Sequence, residues 1–213
     1  MIESKRVRVN GQVATLGTKA DRQNDNITVD GEPIPRPEPL KYVALHKPPG
    51  VLSTVKSPDE RPTVRDYVHV SGRLYPVGRL DVDSEGLILM TNDGKLTNRL
   101  THPRYEHEKE YRVYVREHPG PDQLKTWQEG VLLQDGYRTQ PAGIEVESHE
   151  EGGTWLRVTL REGKKRQIRR MADQTGLTVE RIIRVRIADL RLGDLPAGEW
   201  RHLTEQEIQK LKA

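Results

Sequence analysis

Cysteine is absent from the chain, which excludes disulfides, thiolate nucleophiles and Cys-ligated zinc and suits a reducing compartment. Phenylalanine is absent too, and aromatic residues make up only 5% of the 213 positions, so Leu, Val and Ile must build most of the core. No apolar run approaches the roughly 18–20 residues of a membrane span, and the N-terminus has no signal-peptide core. These absences predict a soluble cytoplasmic protein with no membrane partner. The seven His are scattered without the spacing of metal ligands, and neither a repeat nor a low-complexity tract occurs. The length allows one ordinary domain plus a small module.

What the chain has in quantity is charge: 31% of its residues are Asp, Glu, Lys or Arg, with a net charge of only +3. That balance hides a concentration. Residues 161–191 hold ten Lys or Arg against four Asp or Glu, the footprint of a phosphate-facing surface or of a solvated helix face. Within this segment the spacing predicts a turn into a helix ended by Gly176, with Arg166, Arg169 and Arg170 on one face and Ile168, Met171 and Ala172 on the other. Residues 177–192 read as strand and turn. There Arg184 and Arg186, with Arg181, are expected as sheet-edge contacts to phosphate, against a plain solvated edge.

In chain order, residues 6–13 and 27–32 read as two short hairpins turning at Asn10-Gly11 and Asp30-Gly31. They define a small module over residues 1–32. The Pro-rich stretch 33–40 reads as an extended linker, and a larger domain is expected over 41–213. That domain opens with a strand running into Lys47-Pro-Pro-Gly50, where Lys47 is a candidate phosphate contact. A Pro-initiated helix is expected near Thr63, a short helix with Leu96 and Leu100 four apart, and an alternating strand from Lys109 that puts Tyr111 and Tyr114 on opposite faces. A helix stopped by Gly130, an exposed acidic loop over 145–153, a strand over 154–160 and a final amphipathic helix complete an α+β pattern.

One loop is crowded with carboxylates. Residues 78–86 lie between a short apolar run and the continuous apolar stretch 87–90, so the loop is pinned by packed elements, a good place to position a reactive side chain. Asp81, Asp83 and Glu85 alternate in it. They could begin a calcium loop, but Leu89 and Asn92 stand where later ligands are needed. They could be ordinary turn and cap residues. Or one of them is a nucleophile or base, which requires a cation to keep it ionised once buried.

Gly78-Arg-Leu-Asp-Val-Asp-Ser-Glu-Gly-Leu87 with Thr91-Asn-Asp-Gly94 resembles the signature of the RNA pseudouridine synthases, in the branch that contains the ribosomal enzymes RsuA and RluB. The resemblance covers about residues 41–204. It implies a bent mixed, mainly antiparallel sheet flanked by helices, and the isomerisation of uridine to pseudouridine in ribosomal RNA without cofactor or metal. The large-subunit 23S RNA is the expected target, met during subunit assembly by a monomer, with 16S RNA second. It implies Asp81 as the catalytic carboxylate, Tyr111 as the aromatic under the target base, and Arg169, from Glu162-Gly-x-x-x-Gln-Ile-Arg169, as the cation paired with Asp81. Ile168 matches the apolar residue beside the base, and Arg79 is the candidate to fill the stack once uridine leaves it. Leu80, Lys164, Lys165, Arg166, Gln167 and Arg170 are expected against the RNA.

Residues 6–32 resemble the second half of an S-four-type RNA-binding domain. The first helix of that domain is missing upstream and Lys5 stands where Gly is usual, which predicts a truncated module. Other classes remain open at this point: a non-catalytic RNA-binding or ribosome-assembly protein, and a magnesium-dependent nuclease or phosphatase using the three carboxylates.

Overall fold

Two dipeptides shape the first 39 residues. Asn10-Gly11 (φ 51° and 84°) and Asp30-Gly31 (φ 55° and 88°) all lie in the left-handed region, the geometry of two-residue turns that suits twisted strands. They connect β1 (Val7–Val9) to β2 (Gln12–Val13) and β3 (Ile27–Val29) to β4 (Glu32–Pro33). The four form an antiparallel sheet in the order β2-β1-β3-β4. Ala14 is the only fully buried apolar residue among those described in this unit. Lys5 has φ 54°, in the left-handed region that Gly adopts most easily. The computed structural model describes residues 1–22, 24–35 and 38–213, and the chain divides into two units, Met1–Pro39 and Leu40–Ala213. Of the Pro-rich stretch, Pro33 pairs with Thr28 and Ile34 donates its N–H to the Ile27 carbonyl at 2.9 Å, while Arg36 and Pro37 lie outside the described residues.

The larger unit is organised around one nine-stranded sheet. Its elements are β5 (Tyr42–Lys47), α1 (Val64–Tyr67), β6 (Tyr75–Val77), β7 (Glu85–Thr91), α2 (Gly94–Thr101), β8 (Lys109–Val115) and α3 (Pro121–Glu129). Then come β9 (Gly143–Glu150), β10 (Gly153–Leu160), α4 (Gln167–Gln174), β11 (Val179–Ile187), β12 (Leu190–Arg191), β13 (Trp200–His202) and α5 (Glu205–Lys212). The sheet order is β13-β5-β7-β11-β8-β10-β9, with β6 on β7 and β12 on β11. Every pairing is antiparallel except β7 with β11. All seven residues of β7 are buried, as a continuous apolar strand in a sheet centre should be. Among the described residues no helix is long and apolar enough to cross a membrane.

Helix termini follow local chemistry. The Asp93 carboxylate accepts the N–H groups of Lys95 and Leu96 at 3.1 Å each and starts α2, whose Leu96 and Leu100 are buried. On α4, Ile168, Met171 and Ala172 turn into an apolar cluster with Trp127 of α3 and Val113, Leu156 and Val158 of the sheet.

Two expectations need correction. Residues 145–150 are not a loop but most of edge strand β9, whose Glu147 pairs with Arg112 (2.6 Å) and Arg157 (2.9 Å). Charged, exposed residues are ordinary on an edge strand, so acidity misled. And β11 is central, not an edge. Its arginines lie on carboxylates or carbonyls of neighbouring strands: Arg181 on Glu85 (2.7 Å), Arg186 on Glu108 (3.1 Å) and Glu110 (3.0 Å).

The parallel junction of β7 and β11 depends on Gly86, which faces Arg184 in register with φ 110°. A Cβ there would lie 2.4 Å from the Arg184 carbonyl oxygen and 2.5 Å from its nitrogen. Gly86→Ala is expected to cost about 3 kcal/mol or more, seen as a lower urea midpoint with an unchanged m value. A midpoint within error of wild type would sink this account.

Candidate active site

The loop between β6 and β7 is held by its main chain. The Ser53 hydroxyl donates to the Leu80 carbonyl at 2.9 Å and accepts the Leu80 N–H at 3.0 Å. Gly50 N–H donates to the Val82 carbonyl at 2.7 Å. Lys47 Nζ donates to the carbonyls of Pro48 and Val51 at 2.9 Å and of Val82 at 3.4 Å. From β11, Arg184 Nη1 donates to the Arg79 carbonyl at 3.3 Å and Nε to the Leu87 carbonyl at 2.8 Å.

These contacts correct two expected RNA contacts. Lys47 is fully buried, and burial pushes its pKa down to about 8 against the opposing pull of Asp83 and Glu85. Arg184 is 3% exposed and burial lowers its pKa as well. Both cations face the protein interior because main-chain carbonyls from segments far apart in sequence converge on them. Arg186 is likewise occupied, by its two glutamates.

The three alternating carboxylates separate. Glu85 is buried and paired with Arg181. Asp83 accepts Arg166 Nη1 and Arg169 Nη2, each at 3.1 Å. Asp81 is half-buried and, among the described residues, forms no ion pair within 4.0 Å. It lines a cleft of about 670 Å³ together with Arg79, Leu80, Tyr111, Lys164, Lys165 and Arg166, and with Gln167 and Ile168. Tyr111 of β8 is 8% exposed and Ile168 of α4 is 5% exposed, so both give the cleft apolar walls with fixed positions. Tyr114, on the other face, packs on Trp155 with ring centroids 5.1 Å apart.

The basic turn and helix differ from expectation in three ways. Arg166 occupies the N-cap of α4 with φ 52°, outside the helix, so the three arginines do not share a helical face. Arg169 pairs with Asp83 instead of Asp81, and its Nη1 donates to the Val179 carbonyl at 3.1 Å. Arg170 turns away to Asp135 at 2.6 Å and does not line the cleft. The Gln167 amide is committed to the turn itself, donating to Glu162 at 2.7 Å and accepting the Lys164 N–H at 3.1 Å. Arg79, Lys164 and Lys165 are exposed at the rim.

Sequence reasoning missed residues 52–54, of which Leu52, Ser53 and Thr54 form one wall of the cleft. Nothing in their period or composition marks them. It also missed Asp83 as the partner of two arginines. Among the described residues, no group of three or more His, Asp or Glu side chains is placed to hold a metal ion.

The RNA pseudouridylate synthase family profile matches residues 41–174. The chain is 38% identical over 217 residues to the ribosomal large subunit pseudouridine synthase B of Bacillus subtilis, spanning 100% of this chain and 88% of that one. It is also 38% identical over 209 residues to the dual-specificity RNA pseudouridine synthase RluF of Escherichia coli, spanning 97% and 70% of the two chains. A crystal structure of a pseudouridylate synthase superposes with a TM-score of 0.75 at 33% identity, over 99% of this chain and 90% of that one.

Lys47 gives the site a pH signature. Between its folded pKa of about 8 and its ordinary value of 10.5, the unfolded chain holds a proton that the folded chain has released. Stability from this residue therefore rises with pH across that window and is at its lowest below it. Urea denaturation at a series of pH values should show wild type gaining on Lys47→Met from pH 8 to 10.5, by up to about 1.4 kcal/mol per pH unit. Parallel curves would rule this out.

Proposed function

This chain belongs to the RNA pseudouridylate synthase family and is an RNA pseudouridine synthase, and we propose that it isomerises one uridine of large-subunit ribosomal RNA at the Asp81 cleft. The observation that carries the assignment of the residue is the sorting of charge in one loop. Asp83 and Glu85 are each neutralised by arginine, while Asp81 faces the cleft without an ion-pair partner among the described residues, between the walls given by Tyr111 and Ile168.

The reaction breaks the bond between the ribose C1′ and N1 of the base, turns the base and joins C5 to the same carbon. N1 gains a proton as C5 loses one, so composition is unchanged and no group donor or redox partner enters. A carboxylate is needed at the reacting nucleotide, and Asp81 supplies it as nucleophile or base. Tyr111 offers a ring face to the base, and stacking on an aromatic is worth about 1–3 kcal/mol. Extruding the uridine leaves a gap in the RNA stack, and Arg79, exposed at the rim with its main chain fixed by Arg184, is the side chain to fill it. Lys164, Lys165 and Arg166 meet phosphates.

Arg169 enters this scheme through Asp83. In the free protein the two arginines share that carboxylate. RNA phosphate competes for the exposed Arg166, which leaves Arg169 to orient the loop and to approach Asp81. The large-subunit target rests on the relatives named for it, the cytoplasm on ribosomal RNA as substrate, and the unit Met1–Pro39 serves as an accessory RNA-binding module. The enzyme acts as a monomer on the assembling subunit.

The test is pseudouridine mapping by carbodiimide treatment and primer extension on unmodified large- and small-subunit transcripts. Wild type should give one stop on the large-subunit RNA, and Asp81→Asn should lose at least about three orders of magnitude in rate while still binding. A stop on the small-subunit RNA alone would replace the target, and an active Asp81→Asn would remove the residue from the chemistry. Asp83→Asn should separate rate from binding: single-turnover rate at least about 10-fold lower, affinity kept or raised, and a salt dependence steeper by about one phosphate. Rate and affinity falling together would refute the shared-carboxylate scheme.

A further inference from the structure

Arg79, Tyr111 and Lys164 form a partition in the cleft instead of its end. Beyond them lies a second cleft of about 500 Å³, which shares Gly78, Arg79, Tyr111, Gly163 and Lys164 with the first. Its charge is unbalanced. Arg79, Lys109, Arg161, Lys164 and Arg184 line it against two carboxylates, Glu106 and Glu162. Glu162 is fully engaged, accepting from the Tyr137 hydroxyl at 2.5 Å, the Gln140 N–H at 2.9 Å and the Gln167 amide at 2.7 Å. Arg161 is paired with Glu108 at 3.2 Å.

Two nitrogens in this wall lack partners suited to them. Lys109 Nζ donates to the His107 carbonyl at 2.8 Å but has no carboxylate within ion-pair reach among the described residues, and burial beside Arg184 lowers its pKa. Arg184, 3% exposed and committed to the carbonyls of Arg79 and Leu87, adds only its positive charge to the wall. His107 Nε2 is buried and unpartnered too. A cation held partly out of solvent without a carboxylate is penalised, and a buried donor without an acceptor is rare in native proteins. The missing complement is an anion with several acceptor oxygens, and Lys164 at the partition can follow it from one cleft to the other.

We propose that the second cleft binds the phosphate of the nucleotide next to the isomerised uridine, on the same RNA strand, with Lys109 as its principal cation and His107 as a second donor. This rests on the first cleft being the uridine site. The shared walls place the two clefts side by side, as neighbouring units of one strand require, and a site that grips the adjacent backbone fixes which nucleotide reaches Asp81.

The experiment uses the full chain and an rRNA fragment carrying the target. Each linkage flanking the uridine is replaced singly by an uncharged methylphosphonate. On wild type, one linkage adjacent to the target is expected to weaken binding about 10-fold when neutralised. Lys109→Gln should weaken binding of native RNA by a similar factor and lose nothing more on that neutralised RNA. His107→Gln, which leaves the cation in place and tests the site if Lys109→Gln fails to fold, should show the same non-additivity at smaller size. Losses that multiply, or a wild type indifferent to every flanking linkage, overturn the proposal. Coupling without pseudouridine formation by wild type would keep the phosphate site and remove the catalytic reading instead.

Discussion

Lys47 and Arg184 carry full charges into the interior and place them against main-chain carbonyls, not carboxylates. Each bond from a charged donor is worth about 1.5–3 kcal/mol, while desolvating one such ion costs several kcal/mol. The two roughly cancel, and the depressed pKa of Lys47 says that burial outweighs attraction. Stability is therefore a poor reason for these residues. Geometry is a better one, since each cation gathers carbonyls from separate segments, Lys47 from residues 48, 51 and 82 and Arg184 from residues 79 and 87. With the Ser53 hydroxyl closing both backbone groups of Leu80, the loop around Asp81 has little freedom left to move its carboxylate.

Using carbonyls has an electrostatic consequence. Had Lys47 or Arg184 been paired with a carboxylate, the obvious ones were in the loop itself. Instead, Glu85 goes to Arg181, Asp83 to Arg166 and Arg169, and Asp81 is left facing the cleft. The rest of the sheet follows the same economy. Glu108, Glu110 and Glu147 absorb Arg112, Arg157, Arg161 and Arg186, so a segment that is strongly basic in sequence presents only part of its charge to RNA. Among the described residues, Arg79, Lys109, Lys164 and Lys165 form no ion pair with a carboxylate, and each lines one or both clefts.

What could be read in advance follows from the range of the interactions. The β7 run and the αL turns are local, and period and residue type revealed them. The motif singled out Asp81, and the structure sets that residue in the wall of the cleft. The position of β11 was not legible, because parallel pairing with β7 joins Ile183 to Glu85, far apart in sequence, and no local pattern announces it. Charge count cannot distinguish a central strand whose arginines meet glutamates across the ladder from an edge strand whose arginines meet solvent. Lys47 failed for a related reason: a lysine before Pro-Pro looks exposed until three carbonyls, one of them 35 residues away, close over it. Arg169 was placed correctly beside the loop and assigned the wrong carboxylate, since two positions along an extended loop separate Asp83 from Asp81 and helical spacing does not resolve that difference.

The parallel junction also explains why the site lies where it does. Antiparallel pairs can close with short turns, but β7 and β11 run the same way and need a long crossover, and the first residues of β7 pair with the middle of β11. The Asp81 loop enters β7 there, at Glu85, and Gly86 lets the two backbones approach closely enough for Arg184 to reach the carbonyls of Arg79 and Leu87. Tyr111 is in register with Arg184 on the other side of β11. One guanidinium on the middle strand thus ties the loop that carries the carboxylate to the strand that carries the aromatic wall. A change at Gly86 or Arg184 would therefore shift the spacing between Asp81 and Tyr111.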